Sequence, residues 1–167
     1  MRIPLTRGQF AIVDDADYGI LRHLKWRTVG TETKGFYAET GRNRTRILMH
    51  RMLLKLPDDV ETDHKDGNGL NNQRHNIRPS TRSQNNMNRR PWNGTYKGVR
   101  LFPAEYRAYI NKTKRRIFLE AFSTVEEAAL AYDIAAREHH GEFASLNFPP
   151  GSIPPLPSTA GISEGLL

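Results

Sequence analysis

Residues 60–88 set the hardest constraint on how this chain can fold, because their side chains are almost all polar. Val60–Glu61–Thr62 reads as a short strand ending at Asp63–His64, and Asp66–Gly67–Asn68–Gly69 as a turn. Asn76–Ile77–Arg78 reads as a second strand, and Thr81 to Asn88 as a helix after Pro79–Ser80. Two short strands and a helix with so little to bury form a poor core and need a staple. The chain has no cysteine. Disulfides, a catalytic thiol and Cys-ligated zinc are therefore excluded, and a bound metal becomes the candidate staple.

The remaining composition points the same way. At 167 residues and 37% hydrophobic, two small modules suit the chain better than one large core. No run approaches the roughly 20 apolar residues of a membrane span. The opening MRIPLTRGQF lacks an apolar signal core. These features, with the lack of cysteine, lead us to expect a cytoplasmic protein that does not act at membranes.

Lys and Arg outnumber Asp and Glu by 25 to 18, a net charge of +7. From Gly67 to Ala104 there is no acidic residue at all. That stretch carries Arg74, Arg78, Arg82, Arg89, Arg90, Lys97 and Arg100, together with eight asparagines. Arg and Lys neutralise phosphates, while Asn can bond phosphates, bases or a metal, so a nucleic acid is the expected partner.

Residues 1 to 49 look β-rich: a strand at Phe10–Ile12, a short helix from Asp15 to Leu24, and a hairpin around Gly41–Arg42–Asn43. Met49 to Leu54 would form another short helix, stopped by Pro57. Residues 91–95 read as a linker with breakers at Pro91 and Gly94. Beyond it, Tyr96–Leu101, Tyr106–Asn111 and Arg115–Phe122 read as three strands. Period-2 alternation places Tyr106, Ala108 and Ile110 on one face and Arg107, Tyr109 and Asn111 on the other. Likewise Ile117, Leu119 and Ala121 oppose Arg116, Phe118 and Glu120. A helix follows, with Ser123 and Glu126 as an expected capping box and Val125, Ala128, Ala129, Tyr132, Ala135, Ala136 and His139 on one stripe. Residues 151–167 contain no Lys or Arg, are rich in Pro, Gly and Ser, and read as a disordered tail.

The segment Thr62–Asn86 carries the chemistry. An Asp directly before a His at a strand end can divide two tasks: the carboxylate binds a hard cation and the imidazole activates water. A nearby Asn can fix the imidazole tautomer, and a later Asn on a helix can complete a metal site through its carbonyl. Asp66 reads as an Asx-type turn residue. His75 reads as non-catalytic, and His23, His139 and His140 as surface or helix-end residues.

Asp63–His64, Gly67–Asn68, Asn76–Ile77 and Ser83–Gln84–Asn85–Asn86 together resemble the HNH nuclease family, in the manner of its phage and intron homing branch. The run Met49–Leu54 and the opening IPLTRGQFAIVDD carry the same likeness across most of residues 1–90. The resemblance implies a ββα-metal fold with His64 as general base and Asp63 and Asn85 as metal ligands. It gives Asn76 the task of orienting the base and His50 a structural or phosphate-contact role. The implied cofactor is one divalent cation, Mg²⁺, with Mn²⁺ as substitute.

Residues 95–149 resemble the ethylene-response-factor (APETALA) type of DNA-binding domain. The likeness rests on Tyr96–Lys97–Gly98–Val99–Arg100, Tyr106–Arg107–Ala108, Glu126–Glu127–Ala128–Ala129, Ala131–Tyr132–Asp133 and Leu146–Asn147–Phe148–Pro149. It implies a sheet lying in the DNA major groove with a helix behind, and contacts from Lys97, Arg100, Phe102, Tyr109, Asn111, Arg116 and Phe118. The sequence departs from the plant pattern where Pro103–Ala104 replace a Trp, Tyr109 an acidic residue and Glu120 a Gly, so the plant base preference does not carry over.

The expected whole is an α+β chain. An HNH domain spans 1–90 and a linker 91–95; a DNA-binding domain of three antiparallel strands on one helix spans 96–150, followed by the tail. The expected activity is metal-dependent hydrolysis of double-stranded DNA by a monomeric homing-type nicking enzyme, in a bacterial or phage-infected cell. The rivals are a sequence-specific DNA-binding regulator with an inactive nuclease fold, and an RNA-binding protein on the same basic surface.

Overall fold

Short antiparallel strands and short helices make up most of the chain, an α+β architecture. The structure is a computed structural model that describes residues 1–42, 45–91, 96–112, 115–149 and 151–152. The chain divides into two compact units, Met1–Arg89 and Arg90–Leu167. The 43–44 part of the expected hairpin turn, most of the expected linker and nearly all of the expected tail lie outside the described residues. No described helix is long and apolar enough to cross a membrane.

In the first unit, β1 (Arg2–Pro4) pairs with β2 (Phe10–Ile12), and α1 (Asp15–Leu21) starts with Asp15 and Asp17 in its first turn, where the helix dipole favours acids. A three-stranded sheet follows, ordered β3 (Arg27–Thr31), β4 (Gly35–Arg42), β5 (Thr45–Leu48). The sequence reading missed β3 because little in RTVGT is apolar. Thr28 is buried through hydrogen bonds instead: its N–H donates to Thr6 Oγ1 (3.0 Å) and its hydroxyl to Thr6 O (2.7 Å). Next, α2 (Met49–Leu54) buries Met49, His50 and Leu53 and stops at Lys55, which takes the left-handed conformation (φ 51°) two residues before Pro57.

The polar segment then forms a hairpin of β6 (Glu61–His64) and β7 (Ile77–Ser80), with α3 (Arg82–Asn88) packed on both strands. Thr81 caps α3: its Oγ1 accepts from Gln84 N (3.3 Å), and Gln84 Oε1 accepts from Thr81 N (2.8 Å). The missing core is borrowed. Ile77 joins a cluster of Ile3, Ala11, Val13, Leu21, Trp26, Ala38, Met49 and Leu53, all supplied by residues 3–53. The 65–76 loop is fastened to β2 as if it were a further strand: Ile12 N donates to Leu70 O and Asn72 N to Ile12 O, both at 2.8 Å. Arg74 adds a two-pronged ion pair with buried Asp17 (2.7 and 2.8 Å). Packing, hydrogen bonds and an ion pair thus hold the segment on an apolar neighbour, which composition of the segment alone could not reveal.

In the second unit, β8 (Val99–Phe102), β9 (Glu105–Lys112) and β10 (Arg115–Phe122) form a sheet with β9 central, covered by α4 (Val125–His140). Ala108 and Ile110 meet Tyr132, Ala135 and Ala136; small side chains let helix and sheet approach closely. Gly98 is required by that approach, since its φ is +78° and a Cβ there would lie 2.0 Å from the Tyr132 ring.

Three expectations are corrected: the helix cap, the faces of β10 and the helix-end histidine. The capping box is Thr124 with Glu127, not Ser123 with Glu126: Glu127 N donates to Thr124 Oγ1 (3.3 Å), and Thr124 N to Glu127 Oε2 (3.2 Å). Both registers satisfy the motif, and the helix starts one residue late. A bulge between Phe118 and Glu120 also resets the alternation, so Glu120 stands opposite Ala108 and Phe122 opposite Tyr106. At the helix end His140, rather than His139, is buried, its Nε2 2.9 Å from Asn111 O. Fully buried Asp133 accepts the backbone N–H groups of Asn147 (2.8 Å) and Phe148 (2.9 Å), fixing the chain after the helix.

Candidate functional site

The β6 strand ends on two buried residues, Asp63 and His64. Strand alternation sends neighbouring side chains to opposite faces, so a carboxylate and an imidazole reach different surroundings from adjacent positions. The Asp63 carboxylate meets β7 and α3. Arg78 donates to its Oδ2 from Nε (2.9 Å) and Nη2 (2.7 Å), and Asn88 Nδ2 donates to its Oδ1 (2.9 Å). Asn88 Nδ2 also reaches His64 O (2.7 Å), so one carboxamide locks the helix end onto the strand end.

The His64 ring lies in an aromatic corner. Its centroid is 5.0 Å from that of His50, nearly perpendicular, and 5.9 Å from that of Tyr37. Burial lowers the His64 pKa, against the raising influence of Asn72, Asp66 and Asp63. For His50, burial, the neighbouring His64 and Arg51 together lower the pKa to about 3. Both rings are therefore neutral near pH 7, and a neutral imidazole is the form that can accept a proton from water.

The loop between β6 and β7 is braced from within. Asn76 Oδ1 accepts from Asp66 N (3.1 Å), and its Nδ2 donates to Asp66 Oδ1 (3.0 Å) and Asn71 O (2.7 Å). Asp66 Oδ1 also accepts from Asn68 N (2.8 Å) in an Asx turn, and Asp66 Oδ2 from Asn71 Nδ2 (2.8 Å). Burial pushes the Asp66 carboxyl up, but the donors Asn68, Asn71 and Asn76 outweigh it and hold it below the ordinary value. The expected base-orienting Asn76 thus spends its hydrogen bonds on the loop that follows His64, rather than on the imidazole.

Asn85 stands on α3 with its Nδ2 donating to Glu61 Oε2 (3.0 Å) and Thr62 O (3.3 Å). The helix residue bonded to Asp63 is Asn88, one turn further on. Sequence reading did not single out Asn88, Arg78 or Asn72 as site residues; an Asn-rich stretch gives no signal as to which carboxamide faces inward. Among the described residues no group of three or more His, Cys, Asp or Glu gathers as a metal cage. A carboxylate and an asparagine carbonyl are nevertheless oxygen ligands of the kind that a hard divalent cation takes. A carboxylate has about four lone-pair sites. On Asp63, Arg78 and Asn88 fill three, and among the described residues none is seen donating to Asn85 Oδ1.

On the second unit, strand register places Arg100, Phe102, Tyr109, Asn111, Arg116 and Phe118 on the sheet face away from α4. Tyr109 and Phe118 stack at 5.6 Å, Arg100 lies over Tyr109 at 5.9 Å, and Phe118 is 53% exposed, unusual for an aromatic without a partner surface. Arg107 shares this face, 4.1 Å above the Phe102 ring, and was not expected as a contact. Lys97 precedes the sheet; its N–H donates to Asn147 Oδ1 (2.6 Å) and its carbonyl accepts from Asn147 Nδ2 (3.0 Å).

The chain is 31% identical, over 84% of its own length and 76% of the relative's, to an uncharacterized HNH endonuclease of Acanthamoeba polyphaga mimivirus. The chain belongs to the HNH endonuclease family. It is also similar to plant DNA-binding factors of Arabidopsis thaliana. An ethylene-responsive transcription factor (LEP) is 43% identical over 43% of this chain and 30% of the relative, and a dehydration-responsive element-binding protein (2D) is 46% identical over 40% and 33%. The chain thus spans about a third of the length of those plant relatives. No family model and no solved structure matches. Nuclease and DNA-binding likenesses therefore both stand, the first over most of the chain and the second over less than half.

Proposed function

We propose that this HNH-family chain is a metal-dependent endonuclease that hydrolyses phosphodiester bonds in double-stranded DNA, a homing-type enzyme that nicks one strand. The observation that carries the reading is the adjacency of Asp63 and His64 at the end of β6, the one held by α3 and β7, the other followed by an Asn76-braced loop. Residues 1–90 serve as the nuclease domain in a ββα-metal arrangement, and residues 96–150 supply most of the site binding.

In this mechanism neutral His64 takes a proton from water as the oxygen attacks phosphorus. The bond to the 3′ oxygen breaks, leaving a 5′-phosphate and a 3′-hydroxyl. Asp63 and Asn85 would hold one Mg²⁺, or Mn²⁺ in its place, which supplies stabilisation of the charge gathering on the phosphate and leaving oxygens. Arg78 keeps the Asp63 carboxylate oriented. Arg100, Arg107 and Arg116 neutralise phosphates or fork onto guanine, and Phe102, Tyr109 and Phe118 pack on sugars and methyl groups. One centre per chain cuts one strand, so a monomer suffices. Its place of work is the cytoplasm of a bacterial or phage-infected cell.

The second reading, a DNA-binding regulator with an inactive nuclease fold, is favoured by the engagement of Asp63 with Arg78 and Asn88. Supercoiled plasmid and RNA, each incubated with protein in Mg²⁺ and in chelator, separate the readings. Open circles accumulating first, at a rate proportional to protein and only with metal, are expected. Binding without cleavage favours the regulator. Linear DNA appearing directly, with a rate rising as the square of concentration, would make a dimer the working unit.

A further inference from the structure

We propose that Asn72 is the positioning residue of His64: its Oδ1 accepts the Nε2–H of the ring and thereby leaves the lone pair on Nδ1 as the basic site. The inference rests on the reading of His64 as general base and assigns the group that fixes its tautomer.

Two anomalies carry it. Asn72 is completely buried, yet its Oδ1 has no hydrogen-bond donor. His64 Nε2 is likewise buried without a partner, whereas Nδ1 is not among the enclosed unpaired atoms. Leaving either group unpaired is costly, and one bond between them removes both penalties. The Asn72 carboxamide faces His64, where it favours a proton on the ring. Its orientation is set at the other end, because Nδ2 points to Gly69 O (3.5 Å). Asn72 cannot drift, since its backbone N–H is bonded to Ile12 O (2.8 Å). Gly69 is pinned in turn, as any Cβ there would lie 2.5 Å from both Phe36 O and the Tyr37 ring. The N-terminal β2 strand therefore reaches the imidazole through Asn72. This gives Ile12 a part in orienting the base through its backbone carbonyl.

The test reads the tautomer directly. Long-range ¹H–¹⁵N correlation spectra of the metal-free, full-length ¹⁵N-labelled protein near neutral pH are expected to show His64 as the Nε2–H form. Asn72→Ala should shift it towards a mixture or Nδ1–H, with backbone amide shifts of both units retained. Asn72→Asp, which keeps an acceptor oxygen in place, should preserve Nε2–H. Single-turnover cleavage by Asn72→Ala should fall about tenfold or more, within the 10²- to 10⁴-fold that a general base contributes, with DNA affinity unchanged; Asn72→Asp should recover part of the rate. A wild-type His64 in the Nδ1–H form, or an Asn72→Ala tautomer identical to wild type, overturns the proposal. The wild-type spectrum decides even if Asn72→Ala fails to fold. Because no DNA or metal is present, an Nε2–H ring in a protein that never cleaves would count against the nuclease reading and not against Asn72.

Discussion

The two units bury opposite kinds of side chain. The second fills its interface with alanines, Ile110 and Tyr132, and admits Asp133 and His140 as its buried polar groups among the described residues. The first buries Asp17, Thr28, His50, Asp63, His64, Asn72, Asn76, Arg78, Ser80 and Asn88. An alanine interface tolerates small shifts; a charge pair locked by a carboxamide does not, because each member has few allowed partners and each unpaired member is costly. The first unit is therefore built to hold particular atoms in place, and the second to present a surface.

Breaking the Asp63–Arg78 pair should have the largest effect. Asp63→Ala removes the carboxylate from a buried guanidinium and is expected to cost about 3–5 kcal/mol in denaturant unfolding of the first unit. The double variant Asp63→Leu/Arg78→Met should recover most of that stability and remain inactive. A single variant as stable as wild type would mean that the pair is not buried in solution.

The matching injury to the second unit is Gly98→Ala. The positive φ and the Tyr132 ring leave no room for a methyl, so a loss of about 1–3 kcal/mol is expected there. Hydrogen exchange should report it in the amides of β8, β9 and α4 and leave those of β6 unchanged.

Acid should weaken both units, the first through His50 and His64 and the second through His140, whose pKa burial also lowers. His50 and His64 bind protons less readily when folded than when unfolded, so below about pH 6.5 the unfolded chain holds more protons. Stability is then full above pH 6.5 and falls as pH drops, for His50 down to about 3. The slope is at most about 1.4 kcal/mol per pH unit for each ring. His50→Phe should flatten the acid limb of a pH–stability curve; an unchanged limb would show that the ring is not buried neutral.

The smallest effect concerns the helix start. Thr124→Ala should cost about 1 kcal/mol, whereas Ser123→Ala should stay within about 0.5 kcal/mol. Equal losses in thermal melts would return the cap to Ser123.

The same contrast explains what could be read from sequence. Period-2 and period-3.6 patterns located β9 and α4 because apolar side chains decide them. They located β10 with its bounds but misplaced its faces after Phe118, where a bulge shifts the phase, and they missed β3, where Thr28 is held by hydrogen bonds. At the site, Asp63 and His64 stood out by their adjacency. Asn72, Asn88 and Arg78 did not, since whether an Asn or Arg faces a carboxylate, a ring or solvent depends on the packing of distant segments such as β2.

Single-turnover cleavage of a supercoiled plasmid by wild type and His64→Ala, with DNA affinity measured in parallel, tests the central claim most directly. The account expects Mg²⁺-dependent nicking by wild type, and a 10²- to 10⁴-fold slower variant that binds DNA as tightly. Nicking by His64→Ala at the wild-type rate would contradict it.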